Sequence, residues 1–159
     1  MKFNSALRNF VLVLFSTLLI SACSTAKKAK VDTVDDVYTG TDTVEYLAKG
    51  VPDRVFFATN KSKLTTRSRD TLRKQATWLR KNKDLTVTVE GHADERGTRE
   101  YNLALGERRA NAAKDYLMTY GVSGKRITVI SYGKEKPVNP ASSPLAWSQN
   151  RRSVTVKTN

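Results

Sequence analysis

The sequence predicts an α/β fold, a two-layer sandwich of order β-α-β-α-β-β, on three observations. Strict alternation marks residues 84–91 as a half-buried strand, with Leu85, Val87 and Val89 on one side and Thr86, Thr88 and Glu90 on the other. Two longer stretches repeat apolar residues at three- and four-residue steps, the period of helices that bury one face. Strand-like runs lie before, between and after them, so two helices can cover one face of a four-stranded sheet. The roughly 110 residues from Val51 onward are enough for one such core.

Taken in order, the run RVFFA at 54–58 is the first strand. Residues 65–82 form the first helix, on which Leu72, Ala76 and Leu79 share a face. The alternating segment 84–91 is the second strand, and a polar loop, 92–101, follows it. Asn102 is the expected N-cap of the second helix, where Leu103, Gly106, Ala110, Ala113, Leu117 and Tyr120 recur on one face and Gly121 supplies the stop. Residues 126–132 are the third strand. An irregular, proline-containing stretch separates them from the fourth, 153–157.

Ahead of this domain, residues 1–22 read as a signal peptide. Lys2 and Arg8 give a positive start and FVLVLFSTLLI at 10–20 an apolar run, too short for the ~20 residues that a membrane span needs. The sequence Ile20-Ser21-Ala22-Cys23 resembles the bacterial lipobox, in which the cysteine is lipidated and becomes the first mature residue. Cys23 is the chain's one cysteine and stands where that motif requires it. A short uncleaved anchor with an incidental cysteine is the weaker reading. Ser24, rather than Asp, after the cysteine matches the outer-membrane default of such proteins. Residues 23–50 then comprise the lipidated cysteine and a polar tether without clear periodicity, although Val44–Leu47 has the spacing of a short helix. Fully extended, this tether would reach roughly 85–95 Å. The folded domain is assigned to 51–159.

With 28 Lys+Arg against 15 Asp+Glu, the formal net charge is +13. Such an excess favours polyanionic partners: nucleic acid, anionic lipid or an acidic polymer. Export argues against nucleic acid. One cysteine permits no intrachain disulfide, so the domain is held by its core.

Function concentrates in EGHADERGTREYNLALGERRANAA, residues 90–113. A strand end runs into a glycine-containing polar loop and then a capped helix carrying two arginines. That layout suits a small zwitterion: Asp94 takes an ammonium, Arg108 or Arg109 takes a carboxylate in a two-pronged contact, and the helix N-terminus adds unpaired N–H groups.

These residues resemble the OmpA C-terminal-like family, in its peptidoglycan-associated lipoprotein branch. The match includes 91–98 (GHADERGT), Tyr101-Asn102-Leu103, 105–111 (LGERRAN), 131–137 (SYGKEKP) and Asn150-Arg151-Arg152, and covers about residues 51–157. The resemblance implies that the ligand is the diaminopimelate of peptidoglycan stem peptides. It selects Asp94 and Arg109 as the pair that holds it, with support from His92, Gly97, Thr98, Asn102, Leu105, Gly106 and Arg152; Leu105 and Gly106 would lie in the helix's first turn. It further implies a lipid-anchored outer-membrane protein facing the periplasm, TolB and possibly other Tol or OmpA-like proteins as partners, and a part in the Tol-Pal system of envelope integrity and division. One departure is that Ala58 and Asn60 stand where the family often has aspartates.

Competing readings are blander or less supported. Glu90, His92 and Asp94 invite a metal site or acid–base catalysis, but His92 is the chain's one histidine and metal sites ordinarily need more His or Cys. No independent base accompanies a nucleophile. No cofactor, metal or catalytic residue is assigned. Arg151 and Arg152 either line the site or cap the sheet end. The bases of the first helix are read as a solvated face, and Trp78 and Trp147 as packing or partner residues. A peptidoglycan-binding lipoprotein of another assembly, for secretion or motility, is the alternative function, and a periplasmic hydrolase a third.

Overall fold

The computed structural model describes residues 36–158. The signal-peptide and lipobox assignments, Cys23 and the first part of the tether lie outside these residues. A small hairpin of β1 (Tyr46–Ala48) and β2 (Val51–Pro52) leads into β3 (Arg54–Phe56), α1 (Thr66–Lys81), β4 (Val87–His92), α2 (Arg99–Thr119), β5 (Ile127–Gly133), α3 (Pro144–Asn150) and β6 (Arg152–Lys157).

The main sheet has the order β3-β6-β4-β5. Strands β4 and β5 run parallel, as a helical crossover permits, and β6 enters antiparallel between β3 and β4. The C-terminal ends of β3 and β4 and the start of β6 therefore meet at one end of the sheet.

One sheet face packs on the two long helices. Val55, Phe57, Val87, Val89 and Ile127 meet Leu72, Ala76 and Leu79 of α1 and Ala110, Ala113 and Leu117 of α2 in one buried cluster. The predicted helix faces are thus mostly core, but Leu103 is only half-buried and Tyr120 is exposed. On the opposite face, Phe56 meets Tyr38 edge to face at 4.8 Å, and Val37 joins them. Chain assigned to the tether, from Asp36 onward, is packed against the domain. Its Val44–Leu47 segment contributes to a strand rather than to a helix, because Tyr46 and Ala48 pair with Pro52 and Val51.

Two further expectations are corrected. Asn102 does not cap α2. Thr98 does, accepting from the Tyr101 N–H at 3.2 Å, so the helix starts earlier. The proline-containing stretch before β6 holds α3, begun by Ser143 as N-cap with Pro144 in the first turn, where its missing N–H has no cost.

Candidate functional site

Backbone contact fixes the site's frame. Gly91 of β4 faces Gly106 of α2 so closely that a Cβ on Gly91 would lie 1.8 Å from the Gly106 carbonyl oxygen. A Cβ on Gly106 would meet Ser131 Oγ at 2.4 Å. This crossing presses the N-terminal half of α2 onto the end of β4 and turns the intervening loop, 93–98, over the sheet end. Gly97 takes φ +90° in that loop, a conformation glycine adopts without strain.

Asp94 sits in this loop, 7% exposed. Its carboxylate accepts from Arg96 Nε at 3.1 Å, Arg96 Nη2 at 2.7 Å and Arg151 Nη1 at 3.2 Å. The Arg96 backbone N–H adds a fourth contact at 3.1 Å. Burial alone would raise the Asp94 pKa, but the hydrogen bonds and charge of Arg96, then of Arg151, hold it below the usual aspartate value. The group is an anion at neutral pH.

Arg109 is fully buried on α2. It does not present an open fork. Its Nε donates to Lys61 O at 2.9 Å, Nη1 to His92 O at 2.7 Å and Nη2 to Ala58 O at 3.1 Å. The guanidinium lies 5.3 Å from the Phe57 ring centroid. It ties the end of β3, the loop after it and the end of β4 into one surface. Burial, then the neighbouring Arg151, lowers its pKa to about 9. Three of its five N–H donors are engaged by neutral carbonyls, which leave its positive charge unneutralised. Arg108 is exposed on the helix surface.

The supporting residues divide. Thr98 and Gly97 shape the loop and the cap, and Gly97 O accepts from Lys134 Nζ at 2.8 Å. Asn102 is buried and donates from Nδ2 to Arg96 O at 2.9 Å, holding the loop to the helix. Leu105 and Gly106 lie past the first turn of α2, not in it, and are buried. His92 contributes its carbonyl to Arg109 but turns its ring to the other sheet face, stacked 5.5 Å from Tyr132.

Arg152 also faces away from Asp94. It bonds Asn150 O and Lys136 O, and burial followed by the charge of Arg54 lowers its pKa to about 10. Its neighbour Arg151 is the one that reaches Asp94. Besides Asp94 it reaches Phe57 O at 3.1 Å and Asp36 Oδ1 at 2.8 Å. Alternation explains the swap, because successive side chains at a strand start point opposite ways. That signal was present in the sequence but had no register to fix its sign. Glu90 and His92 likewise lie together at 3.4 Å, on the face away from Asp94. Among the described residues no group of three or more His, Cys, Asp or Glu is placed to hold a metal ion.

A groove lined by Ala58, Lys61, Lys63, Leu64, Thr65 and Arg69 opens beside this site. The assembly is a sheet-end surface with an ionised aspartate, a buried guanidinium and a basic flank. It is equipped to bind a ligand carrying both signs of charge, and it lacks an evident nucleophile–base pair.

Both fold and motif place the chain in a known class. Residues 56–151 match the model of the OmpA family, and the chain belongs to that family. Within it, the similarity runs to the peptidoglycan-associated lipoproteins. The one from Mesorhizobium japonicum is 43% identical over 154 residues, covering 94% of this chain and 92% of the relative. The one from Rhizobium meliloti is 57% identical over 106 residues, covering 67% of this chain and 60% of the relative's length. The crystal structure of the Burkholderia pseudomallei peptidoglycan-associated lipoprotein superposes with a TM-score of 0.65 at 35% identity, over 67% of this chain and 90% of that one.

Proposed function

We propose that this protein is a lipid-anchored outer-membrane lipoprotein whose domain binds peptidoglycan non-covalently through the diaminopimelate end of a stem peptide. The observation that carries the reading is the presence of ionised Asp94 and the buried charge of Arg109 at the same sheet end. The diaminopimelate side chain ends in an ammonium and a carboxylate, and the two protein charges are opposite in kind. The near full-length similarity to peptidoglycan-associated lipoproteins supports peptidoglycan as the ligand, an anchor at Cys23 and a domain facing the periplasm. Partnership with TolB, and through it a role in the Tol-Pal system, is the finer part of the proposal. A basic flank at Lys61, Lys63 and Arg69 suits the remaining carboxylates of a stem peptide.

Binding to isolated sacculi tests this. The full chain in detergent micelles is expected to pellet with diaminopimelate-containing sacculi. Asp94→Asn, which keeps shape and removes charge, is expected to lower affinity at least about tenfold, the effect of unpairing a bound charge. Unchanged pelleting of that variant contradicts the assigned site, and release of muropeptides by the wild type would favour a hydrolase. Capture of TolB by the wild type tests the Tol assignment, and Cys23→Ser should abolish membrane fractionation.

A further inference from the structure

Besides Arg151, two charged groups enter the site from outside the predicted pair: a guanidinium seated on Asp94 and a carboxylate contributed from before the first hairpin. Arg96 is the seated cation. Its guanidinium grips both Asp94 oxygens, and its Nη2 lies 3.2 Å from Thr59 Oγ1. Its Cζ stands 4.4 Å from the centroid of the Trp147 ring, presented by α3. Thr59 Oγ1 donates to the carboxylate of Asp36, which also accepts from Thr59 N at 2.9 Å and from Arg151 Nη2 at 2.8 Å. The cation thus has Asp94 on one side, Thr59 backed by Asp36 on another, and an aromatic face on a third.

Exposure separates the members. The Arg96 side chain is 42% exposed, against 9% for Asp94 and 3% for Arg151. Charge separates them too. Asp36, Asp94 and Glu95, whose carboxylate accepts from Trp147 Nε1 at 2.8 Å, balance Arg96, Arg109 and Arg151, and withdrawing Arg96 leaves one net negative charge around the vacated position. An ammonium restores the balance. It is smaller than a guanidinium, has three donors to distribute over carboxylate and hydroxyl oxygens, and is attracted to an indole face.

We propose that this enclosure is the ligand's ammonium subsite, that Arg96 fills it in the unliganded chain, and that Asp36 and Trp147 are binding residues supplied from outside the loop-helix unit. The inference rests on the diaminopimelate reading above. Binding moves Arg96 aside, its outer half being already in water, while Arg151 stays fixed between the two carboxylates. Asp36 offsets the charge of Arg151, which would otherwise repel the incoming cation. The segment entering the domain is then part of the site.

Calorimetric titration of the full chain in detergent micelles with L-alanyl-γ-D-glutamyl-meso-diaminopimelate provides the test. Asp36→Asn and Trp147→Leu are each expected to weaken binding about tenfold, as for loss of a charge-assisted contact or a cation–π contact. Arg96→Gln is expected to tighten it by about threefold or more, since the competing occupant is gone. In ¹⁵N spectra of the wild type, the Arg96 Nε–H and Trp147 Nε1–H signals should both move at saturation, a readout independent of any variant's folding. Wild-type affinity in Asp36→Asn and Trp147→Leu, weaker binding by Arg96→Gln, or unmoved signals would overturn the subsite while leaving the ligand assignment standing. A wild type that fails to bind the tripeptide overturns the ligand assignment itself.

Discussion

The ring of His92 is 1% exposed, packed on Tyr132 and surrounded by the charges of Arg152, Lys136 and Arg54, with Glu90 the acidic neighbour. Burial first, then Arg152, lowers its pKa to about 3, so the imidazole is neutral at physiological pH. The sign of the linkage follows. The unfolded chain takes up this proton near pH 6.5 and the folded one does so only near pH 3, so stability falls as pH drops through that window. The limiting slope is about 1.4 kcal/mol per pH unit for one such proton. Urea midpoints of the wild type are expected to decline between pH 6.5 and 4.5, and those of His92→Asn to decline less; parallel profiles would assign the acid sensitivity to other groups. Asp94 acts lower on the scale, its stabilisation being present above the ordinary aspartate pKa and lost as pH falls through its depressed value. At this scale the sequence made Asp94 legible, because loop composition and motif agree on it. Arg151 was one of two candidates that alternation alone could not separate, and the roles of Arg96 and Asp36 were not legible, since each depends on a side-chain direction or a distant contact that no local pattern encodes.

Among the elements, the β4–α2 unit decides where the charges stand. Thr98 caps α2, while the Gly91–Gly106 crossing sets the helix against the strand. Loss of each has a different consequence. Thr98→Ala is expected to destabilise the domain by about 1 kcal/mol, the usual value of an N-cap side chain, with little change in ligand affinity. Gly106→Ala must push Ser131 or the Gly91 backbone away, so it is expected to cost about 1–3 kcal/mol and also weaken binding by displacing Arg109. Chemical denaturation combined with ligand titration separates the two, and equal effects of both variants on affinity would deny the crossing its positioning role. The four strands of the main sheet and both long helices were legible because periodicity reports a buried face directly. Asn102 misled because Asn is a good cap in isolation, whereas here it is buried and holds the loop through Arg96 O. The short α3 was hidden because seven residues span only two turns, too few to display a period.

Across the whole molecule, antiparallel entry of β6 between β3 and β4 brings distant chain segments to one sheet end. Asp36, Thr59, Asp94, Arg109 and Arg151 meet there although more than a hundred residues separate the first from the last. In the proposed tether, the membrane anchor and the wall-binding site are linked by a segment whose domain-proximal end is itself at the site. The central claim is recognition of a zwitterionic end group, and the most direct measurement compares two tripeptides that differ by one carboxylate. Calorimetry should find that L-alanyl-γ-D-glutamyl-meso-diaminopimelate binds at least about a hundredfold more tightly than its L-lysine counterpart, because lysine leaves the buried charge of Arg109 without its partner. Equal affinities for the two peptides would contradict the account.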